Sequence, residues 1–106
     1  MSSIEEMLNK VEDLLIELEQ RSPRVYGLAT DDSLILRVTE QLIHTTIELR
    51  NTLEWDIEEG NINKENRVND YIGKMIFQIL RICHYAGIDP QEIEKRFREV
   101  IDSYKI

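Results

Sequence analysis

Apolar residues recur along this chain at helical steps from one end to the other. Ile4, Met7, Leu8, Val11, Leu14, Leu15 and Leu18 follow three- and four-residue spacings, which predicts an amphipathic helix with one buried stripe. Ser2 or Ser3 can cap it, Glu5 and Glu6 suit its first turn, and Ser22-Pro23 stops it. Residues 22–32, SPRVYGLATDD, read as a loop punctuated by Pro23 and Gly27. Asp31 or Asp32 then caps a second helix from about Ser33. It carries two apolar lines, Leu34, Val38, Leu42, Leu49 and Leu53 on one and Ile35, Ile43 and Ile47 on the other. This helix reaches Trp55 or beyond and ends by Gly60. A polar linker, Asn61 to Lys64, follows, with Asn63 able to cap what comes next.

The third helix, from about Lys64 to Ala86, is apolar around most of its circumference, with Val68, Tyr71, Ile72, Met75, Ile76, Phe77, Ile79, Leu80, Ile82 and Cys83. Such a helix is expected to be covered on more than one side. Gly87 suits the left-handed position after its end, with Ile88 as the accompanying contact. Asp89, Pro90 and Glu92 form a capping-box pattern for a fourth helix, whose face is Ile93, Phe97, Val100, Ile101 and Tyr104. Nothing in the chain reads as a strand or an internal repeat. The predicted fold is all-α, four helices in one domain over residues 1–106.

Charge narrows the function classes. The 106 residues carry a net charge of −8, and their cations are scattered. The densest group, Lys95, Arg96 and Arg98, alternates with Glu92, Glu94 and Glu99, which suits a solvated helix face rather than a phosphate-binding stripe, so nucleic acid is not the expected partner. No apolar run approaches the roughly 20 residues of a membrane helix, and MSSIEEML lacks the layout of a secretory signal. The one cysteine, Cys83, fits a reducing cytoplasm and a small buried hydrophobe inside the third helix. The apolar breadth of helices two and three exceeds what a small monomer can cover, so a homodimer is expected.

The segment YIGKMIFQILRICHYAGID, from Tyr71 to Asp89, followed by Pro90 and an amphipathic helix, resembles the C-terminal half of the all-α MazG-like nucleotide pyrophosphohydrolases. There a helix starting E-x-x-D runs through apolar residues into Leu-Gly-Ile-Asp. The similarity extends to SLILRVTEQLIH, Ser33 to His44, which takes the place of the family's E-E-x-x-E helix, and covers roughly residues 25 to 104. It implies a four-helix MazG-like bundle whose core is completed across a dimer. Glu40 keeps the first glutamate of the motif. Gln41 and His44 replace the second and third, and Tyr71 and Lys74 replace the glutamate and aspartate of the third helix.

In the family those carboxylates hold magnesium, which neutralises the triphosphate and activates water. An amide, an imidazole, a phenol and an ammonium form no anionic cage, so the resemblance implies a degenerate member without the metal, acting as a binding or regulatory module. Its pocket, Glu40, Gln41, His44, Tyr71 and Lys74, would take a nucleotide or other anion, with Lys74 facing Gln41 and His44, and a protein partner could dock on the acidic outer surface. The alternative is an active pyrophosphohydrolase with a relocated magnesium site using Glu40, Glu48 and Asp70. A transition metal on Glu40 and His44, four residues apart, is the less favoured reading beside a simple hydrogen-bonded pair. His84 is expected to sit at the helix C-terminus, where a cation is favourable. No catalytic dyad, phosphate loop or zinc spacing is present, and the acidic run Glu54, Asp56, Glu58 and Glu59 reads as a solvated helix end.

Overall fold

A computed structural model describes residues 3–21, 31–58 and 65–105, and these form four helices joined without strands. They are α1 (Ser3–Arg21), α2 (Asp31–Glu58), α3 (Glu65–Ala86) and α4 (Pro90–Ser103). Helix α2 begins at Asp31, two residues before the expected Ser33, so both aspartates lie inside its first turn. The expected cap at Ser2, the loop from Ser22 to Thr30, the stop at Gly60 and the linker from Asn61 to Lys64 lie outside the described residues.

Helices α2 and α3 form an antiparallel hairpin. Arg81 donates to Gln41 at 3.2 Å, Gln78 donates to Thr45 at 3.0 Å, and Thr52 lies 3.4 Å from the Tyr71 hydroxyl. Leu34, Val38 and Thr45 are buried, Val38 completely at 0% exposure. Thr45 is tolerated mid-helix because its hydroxyl donates to the Gln41 carbonyl at 2.9 Å, one turn back. The second core lies on the other side of α3. There Leu8, Val11 and Leu15 of α1 meet Leu80 and Cys83, with Phe77, Tyr85 and Ile93 packed around them.

The corner between α3 and α4 follows the sequence. Gly87 has φ 68°, its N–H donates to the His84 carbonyl at 3.2 Å, and the Ile88 N–H donates to the Cys83 carbonyl at 2.9 Å. Those two bonds are a Schellman turn. Asp89 then caps α4, accepting from the Gln91 N–H at 2.8 Å, with Pro90 at the first position. The other half of the expected capping box does not form, because the Glu92 carboxylate accepts from Arg96 at 3.0 Å. Arg96 also donates to Glu99 at 3.0 Å, the solvated face expected of this helix.

Burial is incomplete for so apolar a chain. On α3, Ile72, Ile76 and Ile79 are exposed, and on α2 so are Leu36, Ile43 and Ile47. On α4, Phe97 is 63% and Tyr104 82% exposed, and only Ile93 of its expected apolar face joins the core. The accessible surface is 8198 Å², against about 6,200 Å² for a folded monomer of this mass. The radius of gyration is 16.4 Å, against about 13 Å for a compact domain of this length. No described helix is long and apolar enough to cross a membrane.

Candidate functional site

The hairpin has two chemically different sides. At about 100° per residue, Gln41, His44 and Glu48 fall to one side of the inward-facing Thr45, and Leu42, Leu49 and Leu53 fall to the other. On α3, Asp70, Lys74 and Arg81 lie to one side of the inward-facing Gln78, and Ile72, Met75, Ile79 and Ile82 to the other. For antiparallel neighbours the two polar flanks coincide, as do the two apolar flanks. An apolar groove of about 570 Å³ along Leu49, Leu53 and Ile57 marks one side. Two polar clefts mark the other.

The five sequence-picked residues divide between those clefts. Glu40, Gln41 and His44 line the first, of about 420 Å³, together with Arg37, Thr45 and Gln78. Tyr71 and Lys74 line the second, of about 320 Å³, with Thr52, Arg67 and Asp70. Lys74 therefore does not face Gln41 and His44. It is exposed, and its ammonium lies 5.6 Å from the centroid of the Tyr71 ring on its own helix. The reason is register. Gln41 meets Arg81, seven residues beyond Lys74, and seven residues of helix are about 10 Å.

Glu40 and His44 make no pair either. His44 lies 3.7 Å from Glu48 instead, with both side chains well exposed. Asp70 is in the second cleft, so Glu40, Glu48 and Asp70 do not converge. Among the described residues no group of three histidine, cysteine or acidic side chains could hold a metal ion. Glu54, in the acidic run at the end of α2, is exposed and accepts from Arg50 at 3.1 Å.

Cys83 and His84 lie toward α1 instead. Cys83 is buried and free, and burial pushes its thiol above the ordinary value. His84 stands in the last turn of α3, but its ring reaches across to α1, where Nδ1 donates to Glu12 at 3.3 Å. The ring also lies 5.3 Å from that of Tyr85.

Sequence patterns did not single out Gln78 and Arg81. Arg81 interrupts the apolar run Ile79-Leu80-Arg81-Ile82-Cys83, and a cation inside such a run is the signal that was available. It is only 9% exposed, and its guanidinium lies 5.6 Å from the Phe77 ring centroid and 5.9 Å from that of Tyr85. The chain matches no family model, and no curated protein and no solved structure matches it.

Proposed function

We propose that this chain is a binding or regulatory module, a degenerate MazG-like helical bundle that works as a homodimer and does not perform magnesium-dependent pyrophosphohydrolysis. The observation that carries this reading is the chemistry of the first cleft. Its lining is Arg37, Glu40, Gln41, His44, Thr45 and Gln78, which offers one carboxylate among amides, a hydroxyl and basic groups where magnesium would need several carboxylate oxygens. The helix order and the capped corner at Gly87-Ile88-Asp89-Pro90 support the MazG-like bundle. The register between α2 and α3 counts against a single vestigial pocket, because it sets Tyr71 and Lys74 apart from Gln41 and His44.

The surface supports the dimer. The excess over a compact monomer is about 2,000 Å², while a stable interface takes about 800 Å² from each partner and obligate homodimers take more. A second copy laid on the apolar side of the hairpin would cover Ile72, Ile76 and Ile79. Candidate ligands are a nucleotide or another anion in the polar clefts, with a protein partner on the acidic outer surface and the cytoplasm as the compartment.

The test is release of pyrophosphate from a panel of nucleoside triphosphates with and without magnesium. The expected result is no release above background under either condition. Turnover that disappears with a chelator would overturn the reading and promote an active enzyme with a relocated site, for which Glu40, Glu48 and Asp70 would have to converge by rearrangement.

A further inference from the structure

Among the described residues, two buried side-chain polar atoms have no hydrogen-bond partner, Gln78 Oε1 and Arg81 Nε. They belong to residues one helical turn apart on α3, and Gln78 lines the first cleft. Arg81 joins that cleft through Gln41, whose Oε1 accepts from Arg81 Nη1. A guanidinium has five N–H donors, and no carboxylate of the described residues pairs with this one. A buried charge is ordinarily paired. The rings of Phe77 and Tyr85 attract the cation but leave Nε–H unused.

The orientation of Gln78 is fixed by its neighbour. Thr45 has a single hydroxyl proton, which goes to the Gln41 carbonyl. Its oxygen can therefore only accept from Gln78, which must turn Nε2 toward it. The unpartnered Oε1 is thus a true acceptor awaiting a donor, on a residue one helical turn from a cationic donor awaiting an acceptor. Water bonded to these atoms would leave the charge uncompensated. A protonated phosphate group offers P–OH to Gln78, P–O⁻ to Arg81, and the missing charge.

We propose that the cleft lined by Gln78, with Arg81 behind it and bonded to the lining residue Gln41, binds a protonated phosphate group without a metal ion. Arg37 and His44 on the rim add further donors, and Glu40 on the same rim opposes an anion and keeps affinity moderate. The proposal rests on the binding-module reading and names its ligand chemistry. It also moves the anion from Lys74, where the sequence put it, to Arg81.

The test is calorimetric titration and thermal melting of the full chain in chelator, with phosphate, sulfate and chloride at matched ionic strength. Phosphate should bind and raise the melting temperature more than sulfate, which carries no proton at neutral pH, and chloride should do neither. Arg81→Met should weaken phosphate binding roughly tenfold to a hundredfold. Gln78→Leu should reduce phosphate to the level of sulfate, and it keeps the test decisive if Arg81→Met fails to fold. Adenosine monophosphate titrated separately assigns the source: tighter binding than inorganic phosphate indicates a phosphorylated nucleoside, weaker binding the free ion. Equal effects of phosphate and chloride on the native chain, or an unchanged phosphate response in both variants, would overturn the proposal and leave a water beside Arg81. Magnesium-dependent pyrophosphate release by the same preparation would remove the non-catalytic reading while leaving a positive phosphate result intact.

Discussion

The exposed Lys74 ammonium lies over the ring of half-buried Tyr71, three residues earlier on α3. An exposed cation–π contact of this kind contributes about 0.5–1 kcal/mol at most. Lys74→Met should therefore change stability by no more than about 0.5–1 kcal/mol in chemical denaturation and leave phosphate binding unaltered. A larger loss would mean that the ammonium has a buried partner.

Light scattering of the native chain at micromolar concentration should give twice the 12.6 kDa of one copy. Ile76→Glu, a charge set into the exposed isoleucine row of α3, should shift that equilibrium toward the monomer. A monomeric native chain would remove the dimer from the reading.

Two glycines on one helix and its exit should respond oppositely to the same change. Gly87 holds φ 68° with open space around it, so Gly87→Ala should cost about 1–2 kcal/mol through backbone conformation alone. Gly73 is inside α3, also with nothing within 4 Å of an added methyl group. Gly73→Ala should therefore stabilise by about 0.5–1 kcal/mol. Urea unfolding of both variants checks the pair, and a destabilised Gly73→Ala would place an uncounted neighbour, such as a second copy, against that position.

Cys83 adds a pH dependence of definite sign. Burial raises its thiol pKa in the folded chain, so above roughly pH 8.5, the ordinary thiol value, the unfolded chain loses its proton before the folded one does. The folded state then binds more protons, and stability falls with rising pH until the raised folded value is passed. The stability is fully present below the ordinary value. Cys83→Ala should flatten this alkaline limb in melts between neutral pH and the alkaline range, and native Cys83 should react with iodoacetamide far more slowly than the unfolded chain does.

The helices and their corner were legible in the sequence because local chemistry dictates them. Gly87 alone tolerates the left-handed turn, and Asp89-Pro90 alone restarts the helix, so neither needed tertiary information. Cys83 was also legible as a small buried hydrophobe inside an apolar helix, although Ile79 of the same run stays exposed. The candidate site was not. Motif spacing within α2 and within α3 says which residues share a face, but not which turn of one helix stands opposite which turn of the other. That offset depends on where the hairpin closes, and it separated Lys74 from His44. Capping logic failed for a related reason at Glu92, where Arg96 one turn later competes for the same carboxylate.

The split of the hairpin into a polar and an apolar side has a consequence for how this chain can change. On the proposed reading, assembly and ligand capture would draw on different helical positions, offset by about a quarter turn on the same two elements. A substitution at Ile72 or Ile79 would then alter self-association without touching the phosphate-sized cleft, and one at Gln41 or Gln78 would do the reverse. The two properties would therefore be separately heritable within one hairpin, and a second copy seated on the apolar side would leave the phosphate-sized cleft of each copy open to solvent, pointing away from each other.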